Sequence, residues 1–491
     1  MSAGTTRRRV PGPDLLRLPG LGRFVRWRYA RLTLQLPLLA LALLAVFDGL
    51  TGRQVAPQNL ATVSVWLHYR GLVVLALLVL GNLFCAACPL MLTRGPSRWL
   101  RRLTPRLTWP RALRNKYPVL GLTVAFLFAY EAFDLWASPW LTAWLILGYF
   151  GAALAVDTLF PAGTFCKHVC PLGNFNFALS HVSPAQIAAR DPDVCRSCAG
   201  QYCVNGRLED AGGRGTLGGP AAPLLQLAPL GNARTFPGCE TELFVPQVRS
   251  NQDCTLCLNC VRACPHDNVA LVLRPPPRAL AAWRPRADVA LLGTLLLFAG
   301  VANALAMTPP YAAAAQGLAA GLGTRSEALV LGIMLGVVLG GGCGLTLALF
   351  GWASRLAGRR EGMRQAARRW GSAVFPLAFA VWAGHYSFHF LTGWASIVPV
   401  FQQALGRLGL PAGTPDWTLA ALVPENLLFP LQVALLYAGS GASAYLTVRA
   451  AQGVWRAAVP VIVWFLVVAA LTVLILGQPM QMRGTLLGGP R

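Results

Sequence analysis

Apolar residues in this chain run in long blocks, and the blocks set its architecture. A helix needs about 20 mainly apolar residues to cross a hydrocarbon core about 30 Å thick. Nine stretches meet that length: Leu32–Leu50, Gly71–Leu92, Tyr117–Trp136, Pro139–Phe160, Asp288–Met307, Glu327–Phe350, Gly371–Thr392, Glu425–Val448 and Ala457–Gly477. The eighth is the least regular, because Pro430, Gly439 and Gly441 fall inside it. Between the fourth and fifth the apolar pattern stops over 183–286, where glycines at 212–219 and prolines at 275–277 mark turns and loops. The pattern predicts a mainly α, polytopic transmembrane helical protein of about nine spans with an inserted polar domain. Its parts are a basic N-terminal segment 1–31, a four-helix membrane domain 32–182, the inserted domain 183–286 and a five-helix membrane domain 287–491.

Composition agrees, since 55% of residues are hydrophobic, 12% are charged and the mean hydropathy is +0.51, against a charged share of about a quarter in soluble domains. Charge adds a direction. The chain carries 42 Lys and Arg against 18 Asp and Glu, a net +24, which on a soluble protein would suggest nucleic acid. With the N-terminus inside, the positive residues number eight up to Arg31, eight in Arg94–Lys116, twelve in Lys167–Arg286, six in Arg355–Arg369 and two at Arg449 and Arg456. That puts 36 on one side and 6 on the other. Cytoplasmic loops retain Lys and Arg, so the expectation is a bacterial-type inner (cytoplasmic) membrane protein with its N-terminus and inserted domain cytoplasmic and its C-terminus outside. The surplus then records topology and contact with anionic membrane lipid, with no nucleic-acid partner. The first apolar run is too long for a cleaved signal core and lacks a small-residue cleavage site, so it reads as a retained helix.

The thirteen cysteines bring in chemistry. Twelve lie on cytoplasmic or inner-boundary segments, and Cys343 is alone in the sixth span. A reducing compartment disfavours disulfides, which leaves metal or cluster ligation. Cys254-Thr-Leu-Cys257-Leu-Asn-Cys260-Val-Arg-Ala-Cys264-Pro265 has three thiols at intervals of three and a fourth four residues on, followed by proline. This is the bacterial ferredoxin run, in which three sulfurs wrap one [4Fe–4S] cube and the fourth reaches a second. A zinc knuckle would instead want closed pairs of CxxC or His ligands. Upstream stand Cys195, Cys198, Cys203 and later Cys239, less regularly spaced. By the exchange rule of two-cluster ferredoxins, Cys195, Cys198, Cys203 and Cys264 would hold one cube, and Cys239, Cys254, Cys257 and Cys260 the other. The remaining four form an internal repeat: Cys85-Ala-Ala-Cys88-Pro89 ends the second span, and Cys166-Lys-His-Val-Cys170-Pro171 follows the fourth. They could converge on a third iron–sulfur cluster, act as a dithiol pair, or end their helices without a cofactor.

The paired Cys-Pro motifs at membrane-helix ends, the ferredoxin run after them and the stretch Cys264-Pro265-His266-Asp267-Asn268 resemble the NapH, NosR and CcoG-type membrane polyferredoxins over about residues 30–275. The chain departs from that pattern in the two-residue gap between Cys85 and Cys88 and in the stretched Cys195 motif. The resemblance implies electron transfer between the quinone pool and a redox partner protein through [4Fe–4S] clusters. It also admits a redox or copper-handling assembly role for a respiratory oxidase or reductase. It does not extend to the five spans after Asp288. A cluster-gated transporter or sensor built on those spans is a further expectation.

Ionisable groups at bilayer depth are functional candidates by default. His68, Glu131 and Asp134 lie toward the outer ends of their spans and are candidates for quinone binding and for accepting the protons of quinol oxidation, while Asp48 and Asp157 lie near helix ends. His385 and His389, four residues apart, share one helix face. With Met480 and Met482 they make an imidazole and thioether set suited to copper, with haem as a second metal expectation. No Walker loop, dinucleotide fingerprint or hydrolase elbow is present, so direct NAD or flavin chemistry is unsupported.

Overall fold

The computed structural model describes residues 12–105, 107–209, 216–217, 234–420 and 425–480. It is mainly helical, and all nine predicted spans contain helix. Among the described residues seven helices are long and apolar enough to cross a membrane: Ala30–Thr51, Leu60–Val79, Pro139–Leu159, Ala287–Leu305, Glu327–Leu356, Asn426–Ala451 and Trp455–Leu476. The other two differ for visible reasons. Tyr117–Ala132 is an apolar helix of only 16 residues, because the chain turns through a left-handed Asp134, φ 42°, on its way to the next helix. Val374–Gly393 is continuous but diluted by His385, Tyr386, Ser387 and His389. Protein covers it, with every residue from Val374 to Tyr386 buried, as befits a helix packed on all sides.

The eighth helix runs unbroken from Glu425 to Ala451 with Pro430 inside it. Gly439 explains why this irregular stretch is helical and well packed. A Cβ there would stand 2.4 Å from the Ala380 Cβ and 2.9 Å from the Pro376 carbonyl oxygen, so only glycine lets the eighth helix lie against the seventh, the close approach that small residues give membrane helices. Side-chain hydrogen bonds fix the contact: Gln432 Nε2 donates to the Gly384 carbonyl at 2.9 Å, and the Leu377 N–H donates to Ser443 Oγ at 3.1 Å. On its other side the Trp382 indole donates to the Leu296 carbonyl at 2.8 Å.

The chain forms two compact units. One comprises Met1–Ala40, Ala76–Pro110 and Phe150–Ala279, and the other Leu41–Leu75, Arg111–Tyr149 and Leu280–Arg491. All the cysteines except Cys343 belong to the first. Its polar part is framed by strand Ala185–Ala189 paired antiparallel with Val269–Leu273, Ala185 opposite Leu273. Short helices Pro192–Arg196, Tyr202–Asn205 and Asn259–Ala263 carry cysteines between them. Ile187, Val245, Val261, Val269 and Leu271 bury a common core that also takes Leu16 and Val25 from the basic N-terminal segment. Asp14 fastens that segment, accepting from the Leu271 N–H at 3.2 Å and pairing with Arg190 at 2.9 Å.

Candidate metal centres

The two Cys-Pro motifs fold alike despite their unequal spacing. A residue before proline is driven out of the α region, and Cys88 and Cys170 are both extended, at φ −61°, ψ 122° and φ −69°, ψ 111°. Proline then opens a new helical segment, at Pro89–Thr93 and Pro171–Leu179, its ring fitting the first helical position. Upstream, Leu83–Ala87 is an α-turn, whereas Phe165–Val169 is a π-turn. A π-turn accommodates one more residue than an α-turn, so the extra residue in the second motif is absorbed and each pair stays about one turn apart. The new helix starts offer N–H groups to sulfur: Gly173 N donates to Cys170 Sγ at 3.2 Å, and Leu90 N to Cys88 Sγ. Cys170 lies within electrostatic reach of Cys88, Cys166 of Cys88 and Cys170, and Cys85 of Cys88 and Cys170. The structure thus brings the four together.

The other eight fall into two groups. Cys203 lies near Cys195, Cys198 and Cys264, and these four line one small cavity of about 20 Å³ with Tyr202, Phe244 and Val245 among its walls. Asn268 serves two of them, its Nδ2 donating to Cys195 Sγ at 3.2 Å and its backbone N–H to Cys264 Sγ at 3.4 Å. Cys260 lies near Cys257, Cys239 and Cys254. Contacts also link the groups, since Cys260 is within reach of Cys203, and Cys85 of Cys254. The Cys239 N–H donates to the Cys203 carbonyl at 2.8 Å, and Asn82 Nδ2 to the Cys254 carbonyl at 2.9 Å.

Whether these residues suit iron–sulfur cubes is tested by their backbone and their acidity. Asp253, Leu256 and Leu258 adopt φ of 61°, 51° and 58°, a left-handed conformation that costs a non-glycine residue about 1–2 kcal/mol. Three such residues in one short run turn amides onto sulfur: Leu256 N donates to Cys254 and Asn259 N to Cys257. Burial pushes the Cys203 thiol up to about 11 and those of Cys170 and Cys254 up to about 12. Thiols of that kind are poor exchange nucleophiles at neutral pH, which weighs against a dithiol role, and as thiolates they call for a positive centre among them. Among the described residues no three His, Cys, Asp or Glu side chains stand close enough to share a single metal ion. The four irons of a cube hold their thiolates farther apart than one ion does. Four thiols per group is the donor count of a cube.

Sequence reading missed the charges around these sulfurs. Glu240, next to Cys239, accepts from Arg31 Nη2 at 3.0 Å and Arg94 Nη1 at 2.7 Å. Arg94 Nε also donates to Asp157 Oδ2 at 3.2 Å. Burial alone would raise the Glu240 carboxyl, but the two guanidiniums hold it down at about 2. Arg31 lies within reach of Cys257 and Arg94 of Cys166, where a positive charge favours thiolate. Gly163, φ 90°, lets the chain pass Glu240, since a Cβ there would fall 1.8 Å from the Glu240 carbonyl oxygen. An acid beside a cysteine, with one arginine at the start of the first long helix and another just past the second apolar run, was the available signal.

The ionisable candidates of the second unit separate by surroundings. Asp48 accepts from the Leu60 N–H at 2.7 Å, capping the next helix. Asp134 occupies the left-handed turn, where its carbonyl accepts from Ala137 N at 2.8 Å. His68 sits in a π-turn, Val63–Tyr69, with its nitrogens against the Val63 and Trp394 carbonyls at 3.1 and 2.7 Å. Glu131 instead lines a small apolar cavity of about 20 Å³ with Asn303, Tyr311, Phe128, Leu331 and Met334. Asn303 is buried there, and its Oδ1 has no hydrogen-bond partner among the described residues. His385 and His389 are buried with ring centroids 4.9 Å apart and planes at 87°. Arg70, stacked on Trp66, Tyr130 and Tyr386 at 5.0, 4.9 and 5.1 Å, lies within electrostatic reach of both imidazoles. A guanidinium in that position opposes a copper or haem-iron cation at the pair. Met480 is half-buried, and Met482 lies outside the described residues.

Comparison of the chain with family models, with curated proteins and with solved structures gave no match.

Proposed function

We propose that the protein is an iron–sulfur electron-transfer protein of a bacterial-type inner membrane, with its N-terminus and cysteine-rich segment cytoplasmic. It would relay electrons between the quinone pool and a redox partner. The observation that carries this reading is the gathering of twelve cysteines in one compact unit, with Cys195, Cys198, Cys203 and Cys264 around one cavity. [4Fe–4S] cubes bound at these thiols would supply carriers that take and give one electron each. The chain's part is to hold the thiols, to donate amide hydrogen bonds to sulfur, and to offset thiolate charge with Arg31 and Arg94. The polyferredoxin resemblance supports the same conclusion, and the position of the basic residues supports the orientation.

Glu131 and the buried Asn303, whose Oδ1 has no hydrogen-bond partner among the described residues, suggest the quinone end of the reading. Oxidation of a quinol to quinone releases two protons with its two electrons, so a binding site needs polar groups that take them in an apolar setting. Asn303 Oδ1 would accept from a quinol hydroxyl, and the Glu131 carboxylate would take its proton. Anaerobically purified protein should give iron–sulfur EPR signals when reduced with dithionite, and in membranes when given quinol. Signals with dithionite but none with any quinol would overturn the quinone assignment alone, and none with either would overturn the relay.

A further inference from the structure

A groove of about 1510 Å³, open to solvent, runs along the first unit. Its walls come from three places: the segment before the first helix, with Arg26 and Arg28; the turns after the second helix, with Arg98, Arg101 and Arg102; and the cysteine-rich segment, with Arg262. The lining holds eight arginines, two glutamates and no lysine. Glu240 is already engaged by Arg31 and Arg94, and Arg26 pairs with Asp267 at 2.6 Å; Arg28, Arg98, Arg101, Arg102 and Arg262 complete the basic lining beside Glu242. Cys239 forms part of the wall, beside Phe236, Pro237 and Gly238.

Topology explains why basic residues lie on this side of the chain, but not why they line one concavity that reaches a cysteine. The volume exceeds the roughly 300–1,000 Å³ of small-molecule pockets, and the lining comes from three separate stretches of chain, so the groove is sized for part of a protein surface. Guanidiniums bind carboxylates in a bidentate fork that lysine does not offer. Trp27 and Tyr29, 48% and 41% exposed, add flat apolar contacts of the kind enriched in protein interfaces.

The geometry points to a docking groove for a small, acidic one-electron carrier protein, seated with its redox-active edge against the Phe236–Cys239 wall. This assignment rests on the cluster reading above. Its chemistry is a carboxylate-rich face meeting an arginine-lined groove, so association is fast at low salt and weakens steeply as salt rises.

The test measures binding directly, with an acidic flavodoxin and an acidic plant-type ferredoxin as probes and the full chain in neutral-lipid nanodiscs. Iron content and dithionite reduction are recorded on the same samples, so that loss of clusters is seen separately from loss of docking. At least one probe should bind, with Kd rising at least tenfold between 50 and about 300 mM salt, a few Debye-length reductions. A variant carrying Arg28→Glu, Arg98→Glu and Arg102→Glu should bind at least tenfold more weakly while keeping its iron and its reduction by dithionite. Failure of both probes to bind, or binding indifferent to the variant, would overturn the proposal. So would binding abolished at constant salt in nanodiscs of anionic lipid, which would assign the groove to lipid headgroups.

Discussion

Asn268 shows how one side chain shapes a metal site. Its Nδ2 donates to Cys195 Sγ at 3.2 Å and to the Asp191 carbonyl at 2.7 Å, while its own N–H reaches Cys264. Hydrogen bonds to sulfur favour the more negative, reduced state of a cluster, and they are among the groups that set its potential. Asn268→Leu should therefore lower the midpoint potential of one cluster signal in an EPR-monitored titration and leave the others in place. His181 makes a stability prediction of a different kind. Burial pushes its imidazole down to about 3, with Gln252 as its hydrogen-bond partner at 3.3 Å. The unfolded chain takes up this proton near pH 6.5 and the folded chain does not, so the stability that neutral His181 contributes is complete above pH 6.5 and falls as pH drops toward 3. His181→Gln should flatten that decline in thermal unfolding between pH 7 and 5, and an unchanged slope would reject the assignment.

At the scale of elements, the equivalence of the Cys-Pro turns rests on a π-turn that sequence spacing alone reads as a departure. If the π-turn only stores the extra residue of the second motif, deleting Val169 should convert Phe165–Val169 into an α-turn. Iron per chain would stay the same, whereas adding a further residue there would lower it. Glu240 is the electrostatic counterpart, joining Arg31 from the start of the first helix to Arg94 after the second. Glu240→Gln leaves two half-shielded guanidiniums facing each other and should cost about 3–5 kcal/mol, the usual result of breaking a buried pair, read as a lower unfolding midpoint in detergent. The expectation that Cys264 would join Cys195, Cys198 and Cys203 came from the exchange rule of two-cluster ferredoxins, not from local spacing, and the four do line one cavity. Glu240 and Asn303 were not legible in the sequence, because each acts on residues far away in sequence that only the fold brings near.

For the whole molecule, apolar run length was a sufficient guide to where helices lie, since a helix in lipid must satisfy its backbone within itself. It overstated Tyr117–Trp136, where a left-handed Asp134 ends the helix early, and could not tell that Val374–Gly393 faces protein on every side. Run length also treated 1–31 as a separate basic segment, although Leu16 and Val25 share the core of the cysteine-rich segment. The central claim is that twelve of thirteen cysteines exist to hold iron–sulfur clusters. Iron and acid-labile sulfide per chain, measured on anaerobically purified full-length protein, test it most directly. Three cubes predict about twelve of each, falling by about four in a Cys85→Ala, Cys88→Ala variant. Protein that is fully folded yet carries no labile sulfide would contradict the account.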